Sequence, residues 1–172
     1  IEHWDVVPDI MVMAKGIAGG MPVGATITTD EIADSWKSKT ISTFGGNPIC
    51  MAAMAETLAV MVEEDVPSNA QVRGTQLRGG LISLAQEFDW IGDVRGMGLM
   101  MAVEIVKDRD TKEPDAARTG ALMEEAKDEG LLLGKAGLRD NVLRFGPSLL
   151  VTEEEVEDSL HRLRRACTRV NG

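Results

Sequence analysis

Hydrophobic positions in the first part of the chain form short, continuous runs. Residues 10–14 are all apolar, which is typical of a β-strand buried on both faces, and the β-branched segment 23–28 predicts a second strand. Thr29 or Asp30 can cap a short helix that extends to Trp36. This order of elements predicts that the first part of the chain belongs to a layered α/β domain.

A long helix is predicted to begin at Pro48. Asn47 is a favourable N-cap residue, and proline suits the first helical position. Positions 49–62 are apolar almost all round, so this helix is expected to be buried. Residues 65–68 interrupt it, and a more amphipathic helix is predicted to follow and to extend to about Phe88.

From residue 89 onward the pattern changes to shorter, mixed elements. It predicts a strand with a glycine bend at 94–105, a charged loop at 107–114 and a helix at 115–129 that is ended by Gly130. Strands are predicted at 131–134 and 142–145. A last helix is predicted to begin with the capping box at 152–155 and to extend to about Arg169. These elements predict a small α+β domain. We place the domain boundary in or near the amphipathic helix that extends to about Phe88, so that 1–72 and 73–172 form separate domains.

Composition and charge argue against several classes of function. The 172 residues include 18 basic and 28 acidic ones, and the net charge of −10 disfavours nucleic acid and anionic membranes as partners. No apolar run approaches the ~20 residues of a membrane helix. The two cysteines lie far apart and predict free thiols in a reducing compartment, with no metal site. The cytoplasm or a mitochondrial matrix is therefore expected, and a start without methionine predicts a fragment of a longer protein.

Lys15 is the first candidate for chemistry. It follows the predicted buried strand and precedes the glycine-rich stretch 16–20. A lysine among small and apolar residues is poorly solvated, so its neutral amine, which can form a Schiff base with a carbonyl cofactor, becomes accessible. A strand-end lysine whose ammonium reaches water is the alternative interpretation. The stretch lacks the GxxxxGK[ST] pattern, which argues against a nucleotide phosphate loop.

Three further polar residues stand out. Thr43 lies just before a capped helix, where a hydroxyl and exposed amides suit a phosphate, although an ordinary turn threonine is the alternative. Arg144 lies in an otherwise apolar strand and suits either a substrate carboxylate or a structural salt bridge. For Arg95, an ion pair with Asp93 or Glu104 is the simpler interpretation.

Four motifs, in this order along the chain, resemble the class III (omega-) aminotransferases. They occupy residues 8–25, which include Lys15, and residues 43–48, 93–100 and 143–144. The resemblance covers essentially the whole chain. Within the family, segments 42–48 and 130–134 are most similar to the alanine–glyoxylate aminotransferase 2 branch.

The resemblance implies the C-terminal part of a type I pyridoxal-phosphate-dependent transferase fold, an α/β fold in which the end of a large domain precedes a smaller α+β domain. It implies a transaminase that moves an amino group from alanine, a 4-aminobutyrate-like compound or another omega-amine to a 2-oxo acid such as glyoxylate, pyruvate or 2-oxoglutarate. Lys15 would bind pyridoxal 5′-phosphate as a Schiff base and move the proton. Thr43 would bind the cofactor phosphate in the neighbouring subunit's site, which implies a homodimer or higher homo-oligomer, and Arg144 would bind a substrate carboxylate.

Two other functions stay open. An aminomutase or decarboxylase would keep the fold and the cofactor but catalyse a different reaction. A non-catalytic dimerisation fragment is also compatible, since the family's other cofactor-binding residues are expected upstream of Lys15, outside this chain. The chain alone is therefore predicted to be inactive, and its apolar helix at 49–62 predicts association or aggregation in isolation.

Overall fold

The structure is a computed structural model that describes residues 1–171, with all their side chains except that of Glu2. It divides into two compact units, Ile1–Asp65 and Val66–Gly172. The division lies directly before a long helix. The assignment of 1–72 and 73–172 to two domains of a longer protein stays a prediction.

The first unit contains a two-stranded antiparallel sheet and two α-helices. Strand β1 (Ile10–Met13) pairs with β2 (Ala25–Thr28). A 3-10 helix at Lys15–Ala18, here called the lysine turn, follows β1, and another 3-10 helix occupies Glu2–Trp4. Helix α1 spans Asp30–Ser35 and helix α2 spans Pro48–Glu63.

Strand β1 is not buried on both faces, so this prediction is wrong. The side chains of Ile10 and Val12 are 53% and 74% exposed. The reason is that β1 pairs with β2 alone, and no helix of the described part of the first unit packs extensively against this small sheet.

Helix α2 begins where the sequence predicts but is more exposed than expected. Asn47 caps it, because its Oδ1 accepts hydrogen bonds from two backbone N–H groups of the first turn at 3.0 and 3.3 Å. None of its residues is buried, and Ile49 and Val62 are 69% and 80% exposed. The predicted burial is therefore wrong for the described residues, and the association predicted for the isolated chain stays a prediction.

The second unit contains a four-stranded antiparallel sheet and three helices. The strands are β3 (Ile91–Met97), β4 (Met100–Ile105), β5 (Gly134–Ala136) and β6 (Val142–Phe145), in the spatial order β3-β4-β6-β5. The helices are α3 (Val66–Glu87), α4 (Ala116–Asp128) and α5 (Glu153–Asn171).

The helices cover one face of this sheet. Met101, Val103 and Ile105 alternate along β4 and are each at most 3% exposed. They belong to one apolar core with side chains from all three helices, which include Leu81, Leu84, Leu122, Leu163 and Ala166. The intervening residues of β4, such as Ala102, point to the opposite face, because successive side chains of a strand alternate. That second face carries the charged residues Arg95, Glu104 and Arg144.

Several predicted features of the second unit are confirmed and two are wrong. The capping box is present, since the N–H of Thr152 donates to Glu155 Oε2 at 2.8 Å and the N–H of Glu155 donates to Thr152 Oγ1 at 3.2 Å. The predicted bent strand at 94–105 is instead a hairpin that turns at Gly98, whose φ is +54°. The strand predicted at 131–134 begins at Gly134, because pairing with β6 starts there.

None of the helices in the described part of the chain combines the length and the apolar character that a membrane crossing needs.

Candidate cofactor and substrate site

Lys15 has an unusual backbone conformation. Its φ is +62°, in the left-handed region, and it opens the lysine turn directly after the extended residue Ala14. A long side chain is uncommon in this region, because Cβ crowds the backbone there. The side chain is exposed, so the poor solvation predicted for it is wrong for the described residues. The turn directs the chain sharply away from β1 at this lysine.

Helix α2 holds the lysine turn in place. The turn packs against α2, and Ala18 is only 1% exposed. Gly19 ends the turn with a φ of +59°, and a Cβ at this position would lie 3.2 Å from Thr57 Oγ1 of α2. By contrast, a Cβ at Gly16 or Gly20 would meet nothing within 4 Å. The space beside Lys15 is therefore open, and a primary amine next to open space fits a bulky carbonyl cofactor.

Thr43 lies in an exposed turn that leads into α2. Many amides of this turn already have partners: Ser42 Oγ accepts from the N–H of Gly45 at 3.1 Å, and Asn47 occupies two amides of the helix start. The prediction that those helix-start amides are free for a phosphate is therefore wrong. Within residues 1–171 the Thr43 hydroxyl takes part in no hydrogen bond, so it remains available to a ligand.

Arg144 belongs to the second unit, whereas Lys15 and Thr43 belong to the first. On β6 it is exposed, while its neighbours Leu143 and Phe145 are 1% and 8% exposed. Among the described residues no carboxylate lies within 4 Å of its guanidinium. The structural salt bridge considered as an alternative is thus not found there, and the guanidinium faces solvent on the helix-free side of the sheet.

Arg95 is engaged as the sequence predicts. Its Nη1 donates to Asp93 Oδ2 at 2.7 Å and to Glu104 Oε2 at 2.6 Å. Hydrogen bonds to these two carboxylates, Asp93 first, raise the pKa of Arg95 above its usual value. This guanidinium is therefore neutralised within the sheet.

The two cysteines form no disulfide, and the more buried one, Cys167, is expected to be unreactive. Cys167 is 1% exposed, and burial raises its pKa to about 12. A thiol with this pKa is protonated at neutral pH and is a poor nucleophile. The described residues therefore place no reactive thiol in the core of the second unit.

Sequence reasoning missed the surroundings of Arg144. Strand register places Ala102 on one side of it and Gly134 on the other. These positions are far apart in the sequence, so only the sheet order brings them together. The sole signal in the sequence was the segment 130–134, singled out for its resemblance to one branch of a family.

Comparison with known proteins gives consistent matches over nearly the whole chain. Residues 1–167 match the family model described as aminotransferase class-III. A mitochondrial alanine–glyoxylate aminotransferase 2 homolog of Arabidopsis thaliana is 42% identical over 157 residues, which are 91% of this chain and 33% of that protein. An alanine/serine racemase of Pyrococcus horikoshii is 38% identical over 165 residues, which are 96% of this chain and 34% of that protein.

Solved structures agree with these matches. A Bacillus anthracis aminotransferase superimposes with a TM-score of 0.92 at 32% identity, over 98% of this chain and 40% of that chain. The chain spans about a third of the length of the curated relatives it matches.

Proposed function

Because this chain belongs to the class III aminotransferase family, we propose that it is part of a pyridoxal 5′-phosphate-dependent transaminase. The enzyme transfers an amino group from an amino acid or omega-amine, such as alanine or a 4-aminobutyrate-like donor, to a 2-oxo acid. The observation that carries this proposal is Lys15, an exposed lysine with a left-handed backbone beside the open space at Gly16 and Gly20.

Lys15 binds the cofactor and moves a proton. The cofactor, when bound, supplies the electron sink for the negative charge that develops at the substrate carbon. The Nζ atom of Lys15 would hold the cofactor, and the same Nζ would accept the proton from the carbon that carries the amino group. The open surroundings support this role, because the amine must be reached by both cofactor and substrate.

Thr43 contributes a hydroxyl to the cofactor phosphate in the site of a second copy of the chain. The free hydroxyl of Thr43 supports this role, and the exposed apolar surface of α2, which begins directly after the Thr43 turn, supports assembly. Side chains such as Ile49 and Val62 are costly to leave in water. The proposed assembly is a homodimer or a higher homo-oligomer.

Arg144 binds the carboxylate of the amino or oxo acid. A guanidinium suits a carboxylate because its N–H groups match the two oxygens. The absence of a carboxylate partner among the described residues supports this role. The proposed location is the cytoplasm or the mitochondrial matrix, and the mitochondrial Arabidopsis thaliana relative makes the matrix a reasonable alternative.

Reductive trapping tests the role of Lys15. The full-length protein is incubated with pyridoxal 5′-phosphate, reduced with borohydride and digested, and the adduct is located by peptide mass mapping. We expect the adduct on Lys15 and its loss in Lys15→Ala, with no loss in the matched control Lys37→Ala, another exposed lysine of the first unit. An adduct that persists in Lys15→Ala would contradict the proposal, and its absence in every form would favour a non-catalytic role.

A second candidate function keeps the cofactor but not the net transfer. The alanine/serine racemase among the relatives indicates that this level of similarity extends to another reaction, and an aminomutase is a further possibility of the same kind. Incubation of the full-length protein with labelled alanine and an unlabelled 2-oxo acid separates the two. With alanine labelled at its amino nitrogen, transfer of the label to the amino acid formed from the 2-oxo acid indicates a transaminase, whereas rearranged or racemised alanine alone indicates the alternative.

A further inference from the structure

One residue from each strand of the sheet in the second unit lies in a single row. Arg95 pairs with Ala102, Ala102 pairs with Arg144, and Arg144 pairs with Gly134. Neighbouring strands lie about 4.8 Å apart, and residues in register point to the same face. Arg144 is therefore flanked in its row by the two smallest residues, alanine and glycine.

The guanidinium of Arg144 lies over Gly134. A Cβ at Gly134 would be 3.7 Å from Arg144 Nε and 3.8 Å from Arg144 Nη2. These are ordinary contact distances, so one extra carbon fits. A branched side chain would extend beyond that carbon into the volume that the guanidinium occupies, and it would displace the charged group from this part of the sheet.

The backbone does not require glycine at position 134. Its φ lies outside the left-handed region, unlike those of Gly130 and Gly137 on either side of it in the sequence. Glycine in a strand is less favourable than alanine, because the chain loses more conformational freedom on folding. Conformation therefore does not account for glycine here, and the guanidinium that lies above it leaves room only for a small residue at this position.

Of the two arginines in this row, Arg144 is the one whose guanidinium is available to bind a ligand. Arg95 is held by Asp93 and Glu104, while Arg144 has no carboxylate within 4 Å among the described residues. Its surroundings are apolar, with Leu132 and Met100 83% and 74% exposed in the same depression. The position of this guanidinium therefore decides where an anionic group binds on the face.

We propose that Gly134 is a positioning residue for Arg144, which sets the preference of the protein for carboxylate-bearing substrates by leaving room for the guanidinium. The proposal rests on the carboxylate-binding role of Arg144. Replacement of Gly134 by a branched residue moves the guanidinium and weakens carboxylate binding, without altering the residues that hold the cofactor.

The test measures protection of Arg144 from chemical modification in the full-length protein. Phenylglyoxal modifies exposed arginines, and peptide mass mapping reports the extent of modification of Arg144 at increasing pyruvate concentration. Gly134→Val is expected to need about 10- to 100-fold more pyruvate for half-protection, because pyruvate would lose one charge-assisted hydrogen-bonded pair with Arg144. The KM for pyruvate rises by a similar factor with kcat nearly unchanged.

Two variants serve as controls. Gly134→Ala adds only the carbon that fits and is expected to behave like the wild type. Ala136→Val places the same branched side chain two residues further along β5, opposite Val142 rather than Arg144, and is also expected to leave protection unchanged. If Gly134→Val does not fold, Gly134→Ser provides the measurement, with a smaller shift in the same direction.

The outcomes separate this proposal from the transaminase function. Equal protection in Gly134→Val and the wild type overturns it, as does an equal loss in Ala136→Val, which would indicate general damage to the strand. Failure of pyruvate to protect Arg144 in the wild type overturns it as well. If protection follows the expected pattern but Lys15 is not trapped by borohydride, the transaminase function fails and the role of Gly134 stands.

Discussion

Lys15 keeps a backbone conformation that glycine would adopt at lower cost. A left-handed conformation costs roughly 1 kcal/mol for a residue with a Cβ, and the exposed side chain of Lys15 recovers little of this by packing. Such residues persist mainly at functional sites, where the required position of a side chain outweighs stability. The conformation of Lys15 therefore agrees with a chemical role.

The first prediction concerns the stability of two Lys15 variants. Lys15→Gly in the cofactor-free, full-length protein is expected to be more stable than Lys15→Ala by about 1 kcal/mol, because glycine relieves the left-handed strain and alanine does not. Urea-induced unfolding measures the difference. Both variants lack the lysine that would bind the cofactor, so cofactor binding cannot account for a difference in stability between them. Equal stabilities would indicate that the backbone at Lys15 is not strained.

At the scale of elements, helix α3 packs very closely against the hairpin of β3 and β4. A Cβ at Gly74 would overlap the backbone carbonyl of Gly98 at the hairpin turn. Neither group can move as a flexible side chain could, since Gly98 itself has a φ of +54° and lies close to Ala70. Glycine at position 74 therefore fixes the distance between this helix and the edge of the sheet.

The second prediction compares two glycines of α3. Gly74→Ala is expected to destabilise the protein by about 1–3 kcal/mol, as overpacking does, and chemical denaturation measures this. Gly79→Ala is the matched control, because a Cβ there meets nothing within 4 Å. It should stabilise the helix by roughly 0.5–1 kcal/mol through higher helix propensity. A Gly74→Ala variant as stable as the wild type would show that the helix can shift.

Helix α4 is joined to α5 by a cluster of charges around Glu129. The Glu129 carboxylate accepts a hydrogen bond from Arg165 Nε at 2.6 Å and pairs with Arg169, and its backbone carbonyl accepts from Arg162 Nη1 at 2.7 Å. The hydrogen bond from Arg165, followed by the charges of Arg165, Arg169 and Arg162, lowers the pKa of Glu129. The C-terminal end of α4 and the C-terminal half of α5 are therefore tied together by an ionised carboxylate.

The third prediction is a pH dependence of stability. Because the pKa of Glu129 is lower in the folded state than in the unfolded one, its contribution is complete above the unfolded value of about 4.3. The contribution is lost as the pH falls through the folded value. Glu129→Gln should lower the Tm at pH 7, and the difference from the wild type should shrink in acid. A difference that does not change with pH would show that the charge of Glu129 contributes nothing.

At the scale of the whole molecule, helix α2 leaves several apolar side chains in contact with solvent. Ile49 and Val62 lie near the two ends of this helix and are 69% and 80% exposed, and Leu58 between them is 42% exposed. Exposed apolar side chains of this kind are a common cause of association. The net charge of −10 opposes association only weakly at moderate salt, because surface charges are screened.

The fourth prediction is that the isolated 172-residue chain associates and that α2 is responsible. Light scattering after gel filtration should give a mass above that of the monomer, and the double substitution Ile49→Glu and Val62→Glu should lower it. Val72→Glu is the control, since Val72 is 54% exposed but lies on α3. A monodisperse wild-type monomer would contradict the prediction.

Local sequence signals predicted local structure well. The Asn47 cap, the Thr152 capping box and the Gly130 helix end all occur where the sequence places them, because each depends on hydrogen bonds or dihedral angles within a few residues. The hairpin at Gly98 was missed because an apolar run with glycines also fits a single bent strand. The start of β5 was misplaced because strand limits depend on the partner strand.

Residue type and spacing suffice to identify the family, the helices with their caps, and the candidates Lys15, Thr43 and Arg144. Tertiary structure alone decided what surrounds them. The left-handed backbone of Lys15 arises from the way the chain leaves β1, and the position of Arg144 over Gly134 arises from a strand order that joins distant segments. Such relations depend on contacts between residues far apart in the chain, which local patterns do not specify.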